Sequence, residues 1–363
     1  MPIVEDFPRP SKAKPNSKGS YHSSTKTMMS SQHSQLKFGR NTRAQISWAV
    51  FLVSLLAFSF CQRSKQKVIA VVPKGQAHIF WQTVQAGARA AGAKFGVKIL
   101  WNGPASEIEI SKQINIVEDF INRRVDGIVL APSDGKALVP VIERAVRYGI
   151  PVTIFDSGAQ TESYVSFVAT DNYFGGVKAA HRMAEILGRK GDVAIVGVMP
   201  GSSSTTQREN GFKETIAKEY PQIKIVAFQY GMSDRAKSLA VTEDILTSNP
   251  DLKGIFGPNE SSSIGVAQAV KGRGLSGKVK IVGFDSSPSL ISDVQEGIID
   301  SLIVQSPFAM GFEGVRTLCE KFEGKTPQRR VNTGVMLITK GNLFEPQVQQ
   351  LIHPSLEKYL GEQ

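Results

Sequence analysis

The chain is poor in the residues that build most catalytic and metal centres. Its 363 residues include only 2 cysteines, 5 histidines and 3 tryptophans. No disulfide framework can be drawn, because one of the two cysteines, Cys61, stands directly behind an apolar run where it would be cut off or acylated. The other, Cys319, falls in a helical pattern and reads as a small core residue rather than a nucleophile. The histidines at 22, 33, 78, 181 and 353 are scattered without ligand spacing, so neither a metal nor a cofactor is expected. G-x-x-x-x-G-K-[ST], G-x-S-x-G and H-E-x-x-H are all missing. Gly272 to Gly277 does spell G-x-G-x-x-G, but it follows a helical stretch and precedes a strand. A phosphate-binding turn needs the opposite order, so that the helix amides meet the anion. Nothing in the sequence supports a reaction, and the chain is not expected to be an enzyme.

Negative charge is scarce only at one end. The formal charge is +11, yet residues 1–67 hold 11 Lys/Arg against 2 acids, a net of +9. The rest is close to neutral, which removes the argument for a nucleic-acid partner. The basic tail (1–45) leads into ISWAVFLVSLLAFSF at 46–60, an uncharged run of 15 residues preceded by Lys37, Arg40 and Arg43. That is short for a membrane span and right for the apolar part of a secretory signal, with its basic flank held on the cytoplasmic side. Two exits remain open. Ala57-Phe58-Ser59 offers small residues at signal-peptidase spacing and a soluble product, while Cys61 offers a lipoprotein-type anchor in the membrane. Met28 or Met29 would be a more economical start, so residues 1–27 are not expected in the mature protein.

From residue 68 onward, apolar runs without alternation are separated by helical segments. VIAVV, VKILW, GIVLA, PVTIF and YVSFVAT form one series; DVAIVGV, IKIVAF, GIFG and KVKIVGF form another. The spacing predicts helices near 79–95, 107–123 and 137–148 in the first series. This is the pattern of parallel sheets covered on both faces, an α/β fold. The series also repeat one another: residues 127–157 lie over 254–286 as strand, Pro-polar loop, helix, strand and Phe-Asp-Ser. The repeat sets Asp156 and Asp285 at equivalent strand ends, the edge where open α/β sheets bind ligands. An aspartate after a strand also commonly caps the next helix. Two in matching positions favour a shared site.

The first strand leads into VVPKGQAHIFW, which puts His78, Phe80 and Trp81 at that same edge. Aromatic faces suit the C–H face of a sugar, and carboxylates or amides suit its hydroxyl rim. Further segments now carry a resemblance: FWQTVQAGARAAGAKFG, DGIVLAPSD, IPVTIFDS, ATDNYFGGVKAA, QRENGF, GPNES, IVGFDSSP and QEGIIDSLIVQSPFAMGFEGV. Between about 68 and 340 the chain resembles the periplasmic solute-binding proteins of the ribose-binding group. These are ABC-importer receptors whose core is similar to the effector domain of LacI-type repressors. The resemblance implies two doubly wound parallel-sheet lobes joined by a three-stranded hinge, with crossings near 169–172, 304–307 and 333–338. It assigns 68–170 plus 306–334 to the first lobe and 171–305 plus 335–363 to the second.

It also implies a site for a sugar or similar polyhydroxylated ligand. Phe80 and Trp81 would clamp the ring, His78 would replace an asparagine donor, and Asp156 would accept hydroxyls from the first lobe. Arg208, Asn259 and Asp285 would act from the second lobe, with Gln305 at the hinge. Ser157 stands where ribose-type sites carry arginine, and Ser233 where they carry an aromatic, so a ligand other than ribose is expected. The implied partner is an ABC importer permease, or a signalling receptor if the chain is a sensor. A repressor would need a helix-turn-helix before residue 68, where the apolar run cannot supply one. Reading Asp156 and Asp285 as glycosidase acids finds no supporting motif.

Overall fold

A computed structural model describes residues 66–354 and 356–361, so the basic tail, the apolar run and Cys61 lie outside the described residues. Two six-stranded sheets organise the rest. The first contains β1 (Val68–Val72), β2 (Lys98–Trp101), β3 (Gly127–Leu130), β4 (Val152–Phe155), β5 (Ser166–Ala169) and β11 (Arg330–Asn332). The second contains β6 (Gly191–Gly197), β7 (Ile223–Tyr230), β8 (Gly254–Phe256), β9 (Lys280–Phe284), β10 (Ser301–Gln305) and β12 (Val335–Thr339). Their orders, β11-β5-β4-β3-β1-β2 and β12-β10-β9-β8-β6-β7, match strand for strand. The internal repeat therefore reflects two copies of one doubly wound design. Every pairing is parallel except β10 with β12.

The strands are almost unbroken runs of Val, Ile, Leu, Ala and Phe because helices cover both faces. On the first sheet these are α1 (Ile79–Phe95), α2 (Ile110–Asn122), α3 (Val139–Arg147) and α9 (Pro307–Phe322). The second sheet carries α4 (Asn172–Ile186), α5 (Ser203–Glu219), α6 (Arg235–Ser248), α7 (Glu260–Gly272) and α8 (Pro288–Glu296). Cys319 is buried in α9, as its helical setting suggested, and burial pushes its thiol up to about 11. Helices α4 and α5 approach so closely that a Cβ on Gly176 would lie 2.0 Å from the Arg208 carbonyl oxygen. A Cβ on Gly211 would meet Tyr173 in the same way. Glycine at both positions lets α5 bring Arg208 against Asn172.

The chain passes between the lobes at Thr170–Asp171, at Ser306 and at Thr333–Gly334. The Thr170 hydroxyl donates to the Gly334 carbonyl at 3.0 Å, tying two crossings together. Two expectations need correction. The helix expected over 107–123 begins only at Ile110, because Glu109 accepts from the Ser106 amide at 2.8 Å and holds residues 106–109 as a turn. The tail after β12 was expected to stay with the second lobe. Helix α10 (Pro346–Ile352) does, through Val348, but α11 (Glu357–Leu360) contacts α1 of the first lobe. Arg89 donates to the Tyr359 carbonyl there at 3.3 Å, and the Tyr359 ring lies 5.8 Å from that of Phe308.

Candidate functional site

The carboxyl ends of the two sheets face each other across a cleft, and Asp156 and Asp285 sit at the ends of β4 and β9. Both adopt left-handed backbone conformations, with φ of 58° and 68°. Such angles are uncommon and strained for residues other than glycine. Neither aspartate caps the helix that follows it in sequence; Asp171 caps α4 and Ser287 caps α8. Their carboxylates turn instead into the cleft. Asp285 accepts from Gln305 Nε2 at 2.6 Å and from the Glu260 amide at 3.0 Å. Burial pushes its carboxyl up to about 6, against the pull of Arg208 and Gln305. Asp156 meets Lys74 Nζ at 2.7 Å, both groups being buried.

Arg208 lies between the two aspartates, 3.9 Å from each. Its Nε donates to Asn172 at 2.8 Å and its Nη1 to the Pro258 carbonyl at 2.9 Å, while its guanidinium rests 3.9 Å above the Phe284 ring. Protein contacts alone hold this side chain in place. Lys74 also donates to Ser204 Oγ at 2.9 Å and Ser202 Oγ at 3.3 Å, joining the first lobe to the second.

The aromatic loop after β1 is organised by a residue outside it. One oxygen of Glu107 accepts from Trp81 Nε1 at 2.9 Å and sits 3.2 Å from His78 Nδ1. Burial alone would push the His78 imidazolium down. The bond and charge of Glu107 outweigh it and carry His78 up to about 9. Burial would likewise raise Glu107, but His78, with Lys74 and Trp81, holds it down at about 2. The pair is therefore ionised at neutral pH. Phe80 and Trp81 meet edge to face at 4.8 Å, and Trp81 packs similarly on Phe155 at 6.2 Å. Both belong to the hydrophobic core of the first lobe, with Trp81 only 3% exposed.

Cavities between the lobes include one of about 470 Å³ lined by Gly158, Phe167, Ser203 and Gln207 and two of about 230 Å³ each. His78, Trp81, Glu107, Ser233 and Arg235 line one of the smaller pair, and Phe80, Asp285, Ser287 and Gln305 line the other. Of the nine residues singled out from the sequence, His78 and Trp81 thus line the first of that pair and Phe80, Asp285 and Gln305 the second. Asp156, Ser157, Arg208 and Asn259 line neither and are engaged by protein partners. Asn259 differs in kind: it is the N-cap of α7, its Oδ1 accepting from Ser262 N and its Nδ2 donating to Ser233 Oγ at 3.1 Å. Ser157 accepts from the Ser204 amide at 3.0 Å. Sequence reasoning missed Lys74, Glu107, Asn172, Arg235 and Glu260. Lys74 stands in the loop after a buried strand, a position that could have marked it. Glu107 and Glu260 look like ordinary helix-start acids, and only the fold brings them inside. Among the described residues no cluster of His, Cys, Asp and Glu could hold a metal ion.

Known proteins share this arrangement of sheets. The sequence profile of the periplasmic binding protein domain matches residues 69–326. A D-ribose/D-allose-binding protein of Pseudomonas aeruginosa is 34% identical over 287 residues, 75% of this chain and 88% of the relative. A carbohydrate transporter solute-binding protein of Agrobacterium radiobacter, solved with D-arabinose, superposes with a TM-score of 0.77 at 34% identity. The match covers 80% of this chain and 100% of that one. An ABC transporter solute-binding protein of Agrobacterium vitis, solved with D-fucose, gives 0.77 at 38% identity over 79% of this chain and all of its own.

Proposed function

The chain belongs to the periplasmic binding protein family, and from that premise we propose that it captures an uncharged sugar between its lobes and delivers it to an ABC importer. The observation that carries the ligand class is the charge balance of the cleft. Lys74 pairs with Asp156, His78 with Glu107, and Arg235 with Glu260, while Arg208 sits between Asp156 and Asp285. Four cations face four acids. Asp234 also lines the cavity beside His78, so no excess positive charge is left to attract a phosphate or a carboxylate, whereas ionised partners make strong hydrogen bonds to neutral hydroxyls.

In this reading Asp156 and Asp285 accept sugar hydroxyls, and Arg208, Asn259 and Gln305 donate from the second lobe and hinge. His78 donates from the first lobe, Phe80 and Trp81 supply the apolar wall, and Lys74 exchanges its serine partners for ligand oxygens. Ser157 replaces a cation with a hydroxyl, which keeps the pocket neutral. Ligand stabilises closure because it touches both lobes only in the closed form, and that form is what a permease or a signalling receptor would recognise. The family places the protein outside the cytoplasmic membrane. Release after Ser59 and anchoring through Cys61 are the two routes there, and both fall outside the described residues. The ligand is bound and released unchanged.

Titration calorimetry against D-arabinose, D-fucose, D-ribose and D-allose tests the proposal. At least one should bind, and Asp156→Asn and Asp285→Asn should each lose about 1.5–3 kcal/mol of binding free energy, the scale of a charge-assisted bond. A panel with no binder, or variants that bind as tightly as the parent, would overturn it.

A further inference from the structure

The first amides of an α-helix have no acceptor within the helix, and a side chain at the N-cap normally supplies one. Helices α1 and α5 both open without it: neither His78 nor Ser202, their N-cap residues, makes a side-chain capping bond. The missing acceptors come from across the cleft. Glu260, on the second lobe, accepts from the amides of Phe80 at 3.1 Å and Ile79 at 3.4 Å, the first two residues of α1. Ser157, on the first lobe, accepts from the amide of Ser204 in the first turn of α5 at 3.0 Å.

We propose that Glu260 and Ser157 form a reciprocal latch in which each lobe caps a helix of the other, so that closure satisfies both helix ends and opening exposes both. Glu260 is 1% exposed, and Arg235 holds its carboxylate at 2.7 Å, which fixes it in the capping position. A carboxylate at a helix amino terminus is also favoured by the helix dipole. A backbone bond from Gly135 to the Gly201 carbonyl, 3.0 Å, closes the same seam beside Ser157. Each latch residue is coupled to an aspartate of the cleft. Ser157 follows Asp156 directly, and the Glu260 amide donates to Asp285. The latch therefore sets how much of the ligand-free protein is already closed. Affinity scales with that fraction. This last consequence rests on the sugar-receptor reading; the latch itself does not.

Hydrogen exchange of individual amides, measured by NMR on the full chain without any sugar, tests it. The parent should protect Ile79, Phe80 and Ser204. Ser157→Ala should speed exchange about tenfold or more not only at Ser204 but also at Ile79 and Phe80, which it does not touch. Glu260→Ala should in turn deprotect Ser204. Should Glu260→Ala fail to fold, Glu260→Met, which keeps the length and removes both acceptor oxygens, gives the same reading. If each substitution deprotects only its own partner amide, the two caps are local bonds and the latch is wrong. Since no ligand is present, failure of the sugar proposal leaves this result unaffected.

Discussion

At the residue scale the legible part of the site was its pair of aspartates. Phe-Asp-Ser recurs at the ends of β4 and β9, and the left-handed backbone at both positions shows that the repeat is conformational as well as chemical. What could not be read was Glu107, because an acid ahead of a helix is usually solvated and only tertiary contact puts it between His78 and Trp81. That contact makes a pH prediction. His78 titrates near 9 when folded, against 6.5 for the free side chain, so its pairing stabilises the protein fully below 6.5 and is lost as pH rises through 9. Glu107 behaves oppositely, contributing above about 4.5 and losing that as pH falls towards 2. Asp285, raised by burial to about 6, and Glu209, raised to about 7, have largely completed their changes by pH 8. Cys319, raised from 9.0 to about 11, begins to contribute only close to pH 9. Between pH 8 and 9 the parent's unfolding free energy, read from denaturant midpoints, should therefore fall by about 1 kcal/mol. His78→Gln should start lower and show a nearly flat profile. A parallel fall in both would show that His78 is not the group responsible.

At the element scale, strands are plain in the sequence and helix ends less so. Strand residues such as VIAVV declare themselves because burial on both faces excludes polar residues. The start of α2 was misplaced because the acids of the Ser106–Glu109 turn look like a helical first turn. The tail was misread for a different reason. Its two helices are short and polar, and sequence cannot say which lobe a short helix will touch. The structure gives them unequal energetic weight. Val348 on α10 is fully buried in the core of the second lobe, whereas α11 buries no residue completely and holds the first lobe through Tyr359. Ending the chain after Leu356 should lower stability by about 1 kcal/mol or less, as for most surface changes. Ending it after Phe344 removes Val348 as well and should cost several times more, given about 1.5–3 kcal/mol for a buried aliphatic side chain. Urea midpoints of the two truncated chains check the ratio. Equal losses would mean that α11, and not the core contact of α10, ties the tail down.

At the scale of the whole molecule the division of apolar and polar contacts decides how the protein works. None of the hydrophobic clusters among the described residues crosses between lobes. Two belong to the first sheet and its helices and two to the second. The seam between lobes is made of hydrogen bonds and ion pairs, including those of Lys74, Ser157 and Glu260. Polar contacts exposed to water on opening cost little net free energy to break, while splitting an apolar core would cost much more. The lobes can therefore separate without unfolding, which a receptor that must admit and release a ligand requires. The same division predicts the unfolding behaviour. Without ligand, each lobe carries its own core, and the seam is too weak to force them to melt together, so calorimetry should resolve two overlapping transitions. A sugar bound to Asp156 and Asp285 bonds both lobes at once and stabilises only the closed, folded pair. At one hundred times its dissociation constant it adds about 2.7 kcal/mol. That addition falls on whichever lobe melts first, because its unfolding destroys the site, so the lower transition should rise and merge with the upper. Asp285→Asn should weaken this merging in proportion to its lost affinity. A single transition in the absence of ligand would show that the lobes already unfold as one unit and that the polar seam is stronger than its chemistry implies.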